Sequence, residues 1–178
     1  MDNISGKTLL LSSISNFFKK YPIYLECLKQ IIAGKNKISL RLIDWLLTHY
    51  AKNCNIQYWI DDEHKQIYKK LPDDLKQAAK LRKFSMYIDY RAQLKSFSKM
   101  YFDPFRRHER ISYKVSEREV IETTIGQLNL FRWFFKNNIY EYINQNYNDI
   151  ASHMSKKNKT IKIRDDTIKT EKRYIQFS

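Results

Sequence analysis

Apolar residues recur at helical spacing in three runs over the first fifty positions. Leu9, Leu10, Ile14, Phe17 and Phe18 predict a helix from Thr8, which Pro22 halts because proline disfavours a helical residue before it. Pro22 suits the first turn of a second helix, striped by Ile23, Leu25, Leu28, Ile31 and Ile32 and stopped by Gly34. Ser39 can cap a third, running through Leu42, Ile43, Trp45, Leu46, Leu47 and Tyr50 to about Asn53. The pattern then changes. Ile56 to Ile60 is β-branched and aromatic, and the polar segment from Asp61 to Lys65 separates it from Gln66-Ile67-Tyr68, which predicts a small hairpin. Pro72-Asp73-Asp74 can open a further helix, reaching about Arg82.

Helical spacing returns from Phe84 to Tyr101. One side is apolar (Tyr87, Ile88, Leu94, Phe97, Met100), and the other carries Arg91, Lys95 and Lys99 four residues apart. Phe102-Asp103-Pro104-Phe105 ends that helix and is followed by the cationic knot Arg106-Arg107-His108-Glu109-Arg110. Ile111, Tyr113 and Val115 alternate with Ser112 and Lys114, as in a strand. Thr124 and Gln127 match a capping box, in which each side chain takes up a free amide at the helix start. The helix behind it is apolar except for a stripe of Asn129, Arg132 and Lys136, so it belongs at the centre of a core. Asn137-Asn138 breaks it, and Ile139 to Ile143 suggests a last short helix. Beyond that the chain is dense in Lys156, Lys157, Lys159, Lys162, Arg164, Lys169, Lys172 and Arg173, with few apolar anchors.

The expected architecture is therefore α+β and mainly helical. It has a flexible N-terminus (1–7), a single compact domain with a small antiparallel sheet (8–150), and a basic C-terminal tail (151–178) that is disordered until bound. With 178 residues, 43% of them hydrophobic, there is material for one core and too little for two.

Charge changes the picture from fold to partner. The 33 basic residues against 19 acidic leave a formal charge of +14, an excess that points to a polyanion, with nucleic acid ahead of an anionic membrane surface. Lys and Asn are also enriched by AT-rich coding sequence, so part of the charge is compositional. The short apolar run before Ser12-Ser13 and Lys19-Lys20 is neither a signal peptide nor a membrane span, which places the protein inside a cell or a virus particle.

Catalytic chemistry is sparse. Cys27 and Cys54 form no metal knuckle or disulfide framework; His49, His64, His108 and His153 are scattered; three glycines make no phosphate-cradling loop. No cofactor or metal is implied. Glu63-His64-Lys65 has the Glu-x-Lys form of Mg²⁺-dependent nucleases, yet Asp44 falls on a helix and Asp61 and Asp62 in the same turn. Trp133-Phe134-Phe135-Lys136-Asn137 is similar to the Trp-Phe-x-Asn of homeodomain recognition helices, but lysine stands where asparagine is wanted.

The nucleic-acid reading rests on Arg106, Arg107, Arg110 and Lys114, the stripe Arg91, Lys95 and Lys99, and the tail lysines Lys156, Lys157 and Lys159, all against phosphate. Lys136 would join them, and Asn129 and Arg132 would supply any base preference. Three stretches, Ile38 to Trp45, Tyr90 to Lys95 running into Phe102 to Phe105, and Glu122 to Asn129, resemble uncharacterised proteins of large nucleocytoplasmic DNA viruses. The resemblance carries over no catalytic residue. It implies a viral origin and makes genome handling, late transcription or packaging, in host cytoplasm, viral factory or virion, the natural settings for the non-enzymatic nucleic-acid-binding accessory protein that the residues suggest. DNA then ranks ahead of RNA, other viral proteins are further partners, and a virion structural component with compositional charge is the alternative.

Overall fold

Pro22 divides the first two helices as its chemistry requires. In the computed structural model, which describes the backbone of residues 2–176 and the side chains of 6–169, α1 (Asp2–Lys20) ends two residues before it, leaving Tyr21 between, and α2 (Pro22–Ile32) begins on it. The expected loose N-terminus is helical from Asp2. Lys7 is fastened to Glu109 at 2.8 Å, which ties the start of α1 to the body. Gly34, at φ +72°, turns the chain out of α2. The Ser39 hydroxyl accepts from Leu42 N–H and opens α3 (Leu40–Trp45), which widens through a π turn (Leu46–Tyr50) into α4 (Ala51–Asn53).

The hairpin forms as β1 (Gln57–Asp61) and β2 (Gln66–Tyr68), but a third strand joins it. After the single-turn α5 (Leu75–Ala78), the residues expected to lie between two helices become β3 (Arg82–Ser85), and the sheet order is β2-β1-β3, antiparallel throughout. Phe84 sits opposite Tyr58, and its buried ring meets the rings of Tyr58 at 5.3 Å and Trp133 at 6.0 Å. α6 (Met86–Tyr101) then presents Met86 and Tyr90 to the core, while Ile88 and Met100, predicted on its apolar side, are exposed.

A second sheet, unforeseen in the sequence, pairs β4 (Arg110–Ser116) with β5 (Glu119–Thr124). Its hairpin is tied to α2 by Lys29–Glu119 at 2.9 Å and to α1 by Tyr113 Oη donating to Ser15 Oγ at 3.2 Å.

α7 (Ile125–Lys136) is the centre. Every residue from Ile125 to Phe135 except Arg132 is buried, and Phe131, Phe134 and Phe135 meet residues of the other helices in one core running from Ile14 to Ile150. Only half of the expected capping box exists. Thr124 Oγ1 accepts from Gln127 N–H at 3.0 Å, whereas the Gln127 side chain donates to Pro104 O and accepts from Thr123 Oγ1. Gln127 therefore holds the turn before the knot and not its own helix start.

After Asn138, whose φ is +54°, α8 (Ile139–Gln176) runs to the end of the described chain with a kink at Asn146. This corrects the expectation of a short helix and a disordered tail. No glycine or proline follows Gly126, and Ile143, Ile150 and Met154 anchor the helix to the core, so nothing stops its propagation. Lys172 and Arg173 lie outside the residues whose side chains are described.

Candidate nucleic-acid interface

The cationic knot is bound up in its own fold. Asp103, 2% exposed, accepts from Phe105 N–H and takes the Arg107 guanidinium in a fork, at 2.8 Å from Nε and 2.9 Å from Nη2. That carboxylate raises the arginine's pKa further. Arg106 donates to Glu122 O at 3.2 Å, and Arg110 forms an ion pair with the Glu122 carboxylate, which it holds below the usual carboxylate range. Glu122 comes from β5, a strand that sequence reading had not placed, and so its role as partner was hidden. Among these four predicted contacts, Lys114 is exposed and makes no ion pair among the described residues.

The stripe on α6 is interrupted. Ser98 adopts φ 60°, ψ 170°, so Arg91 and Lys95 share a face, lining a shallow depression, while Lys99 lies beyond the break. Lys99 falls within electrostatic reach of Asp44, a half-buried acid whose pKa is pushed up by burial.

The remaining predicted stripe does line a cleft, of about 580 Å³. Arg132 and Lys136 project from α7 toward the end of α1, which supplies Phe17, Lys20 and, just past it, Tyr21; the β1–β2 tip supplies Asp62 and Lys65. Arg82 sets this tip in place. Its Nε and Nη2 hold the Asp62 carboxylate at 2.8 and 3.1 Å, while Nη1 donates to Asn137 Oδ1 and Nη2 to Lys136 O at the C-terminus of α7. A cation at those last carbonyls also complements the helix dipole.

Arg132 is half-buried and its polar partners are neutral: Nη1 donates to Ser13 Oγ at 2.6 Å and Nη2 to Asn129 Oδ1 at 2.8 Å. Burial lowers its pKa, and among the described residues no carboxylate pairs with it. Asn129 is 2% exposed, and its other amide group donates to Tyr101 O at 2.8 Å. Its amide is thus committed to holding Arg132, a correction to the base-reading role expected of it.

Two lysines crowd the Tyr21 ring, Lys65 Nζ at 4.8 Å from its centroid and Lys20 Nζ at 5.5 Å. Behind Tyr21, Phe17 stacks near-parallel on Tyr24, and Tyr24 on Phe135 at 4.7 Å, so the rim aromatics are braced against the core. Lys20, Lys65 and Tyr21 are absent from the phosphate and base contacts read from the sequence, where Lys65 figured only in the Glu-x-Lys motif. Chance-like spacing along the chain hid them, since Ser13 and Arg132, 119 residues apart, meet only in the fold.

The Glu63-His64-Lys65 tip is a tight turn. Asp61 Oδ1 accepts from the Glu63 and His64 amides, and Asp61 Oδ2 meets His64 Nδ1 at 2.8 Å. Among the described residues no three His, Cys, Asp or Glu side chains gather as metal ligands would.

A protein-family model described as a family of unknown function (DUF7197) matches residues 3–175, nearly the whole chain. The chain belongs to this family. Its similarity to the uncharacterized protein L507 of Acanthamoeba polyphaga mimivirus is 32% identity over 158 residues, or 84% of this chain and 55% of that protein. The chain thus spans about half the length of the curated relative it matches. No solved structure was found to match. The chain is thus similar to a giant-virus protein, in agreement with the kinship read from the three sequence stretches. Among the described residues, no helix is long and apolar enough to cross a membrane.

Further unpaired charge of this family member lies on α8. Beyond Met154 the exposed side chains include Lys156, Lys157, Lys159, Lys162, Arg164 and Lys169, none in an ion pair among the described residues. At 3.6 residues per turn they fall on different sides: Lys157 and Arg164 on one, Lys162 and Lys169 on another.

Proposed function

We propose that this protein is a non-enzymatic nucleic-acid-binding accessory protein of a giant virus, acting in genome handling, late transcription or packaging. It engages phosphate through the exposed cations of α8 and of the cleft. One observation carries the reading: Arg107 and Arg110 of the knot are held by carboxylates and Arg106 by a backbone carbonyl, whereas the six cations on the projecting part of α8 are exposed and unpaired. Desolvating a phosphate against an unpaired ammonium gains attraction and releases condensed counterions, while an arginine already held by a carboxylate must first give that pair up. Because the α8 cations surround the helix, they supply attraction without fixing a groove register, which favours binding indifferent to sequence. DNA ranks ahead of RNA through the kinship with DNA viruses.

The test is neutralisation within the full chain. Replacing Lys156, Lys157, Lys159 and Lys162 by Gln should weaken duplex DNA binding and make the salt dependence shallower by about 2–3 in log–log slope, given ~0.9 per phosphate contact and the two or three of them that one side of the helix presents. Equal affinity and slope in the variant would mean that α8 does not contact phosphate.

A further inference from the structure

We propose that the cleft between α1, α7 and the β1–β2 tip is a binding site for one nucleotide unit of a single strand, its phosphate against Arg132 and Lys136 and its base against Phe17 and Tyr21. This rests on the nucleic-acid reading above and assigns it a second, distinct contact.

The argument starts from Arg132. A half-buried guanidinium with only a hydroxyl and an amide oxygen as partners has lost hydration without gaining a counter-ion, an arrangement that costs free energy until an anion arrives. Its direction is fixed in advance. Asn129, itself locked to Tyr101 O, holds one arm of the fork and Ser13 the other, so Arg132 is preorganised and its remaining donors are free for a ligand. Burial has already pushed its pKa down, as expected where no acid offsets the desolvation.

The surroundings share the sign. Lys20, Lys65 and Lys136 line the same cleft, and like charges drawn together repel unless something negative is placed between them. The acid on the lining is Asp62, both of whose oxygens are held by Arg82. Glu141 lies within electrostatic reach of Lys65 but is held back in the core by burial, where its pKa is raised.

Cations alone would suit any anion; the rim selects among them. Phe17 and Tyr21, 5.2 Å between ring centroids, stand half-buried at the edge and are braced from behind by the Tyr24–Phe135 stack. A rigid aromatic edge beside a cationic cleft is the arrangement on which an unstacked base lies. The volume, about 580 Å³, is of the size that takes small ligands, too confined for a duplex whose bases remain paired.

Fluorescence anisotropy on the full chain tests this with three probes: a labelled oligo(dT), a labelled duplex of the same length, and unlabelled dTMP as competitor. Lys20 and Lys136 are both exposed, so K20Q/K136Q should keep the fold, which its melting temperature checks; R132Q is the second variant. The expected result is single-strand affinity lowered tenfold or more in each variant, with duplex affinity, carried by α8, within about threefold of the parent. Competition by dTMP that disappears in R132Q would place the monophosphate itself in the cleft. Duplex binding that persists while single-strand affinity is unchanged in both variants would overturn the cleft proposal and leave the α8 reading standing. A parent chain that binds neither probe would overturn both.

Discussion

Glu141 shows how one residue ties burial to pH. It sits half-buried in the first turn of α8, with Oε2 buried and without a hydrogen-bond partner. Burial pushes its pKa up, opposed by its backbone amide and by Lys65; Tyr24, Tyr58 and Cys27 all lie within reach of its charge. A carboxyl with a raised folded pKa contributes stability that is fully present below the unfolded value, about 4.3, and is lost as pH rises through the folded value. Glu141→Gln should therefore melt higher than the parent at pH 7, with the gap closing toward pH 4. Thermal melts across that range check it, and a variant less stable than the parent at pH 7 would contradict it. The acid itself could be read from the sequence, but its burial could not. In the Tyr140-Glu141-Tyr142 run nothing distinguishes an exposed face from one turned against β1. Gln127 and Asn129 carry the same lesson: capping and helical spacing predicted their backbone positions, and long-range partners, Pro104 and Tyr101, decided what their side chains do.

At the scale of elements, the crossing of α6 and α7 depends on Gly126. A Cβ there would stand 2.8 Å from Met100 O and 3.2 Å from Phe102 N, both backbone atoms that cannot rotate aside. Gly126→Ala gains up to about 1 kcal/mol in helix propensity but must push two elements apart, an overpacking cost of about 1–3 kcal/mol. The second term wins, so the denaturation midpoint should fall; an unchanged or raised midpoint would show that the crossing is looser than drawn. Helix starts and stops were legible because Pro22, Gly34, Ser39, Asp103-Pro104 and Thr124 act locally. The strands β3 and β5 were not. Arg82-Lys83-Phe84-Ser85 lacks an alternating pattern and becomes a strand because β1 offers it an edge, and Glu119 to Thr124 pairs back on β4 across a turn at Glu117-Arg118 with no glycine to announce it. Missing β5 removed Glu122 from view, and the arginine knot then looked like free charge.

For the whole molecule, the charge of +14 is unevenly spent. Carboxylates from other elements or turns secure Arg82, Arg107, Arg110, Lys7 and Lys29, whereas the cleft and the outer part of α8 keep theirs unpaired. The most direct test is the affinity of the full chain for duplex DNA across a salt series from about 50 to 200 mM. With about four of the six α8 cations presented by one side of the helix, the log–log slope should be about −3 to −4, at about −0.9 for each phosphate neutralised. A flat response, or no binding at the lowest salt, would contradict the account and leave the positive charge without a nucleic-acid role.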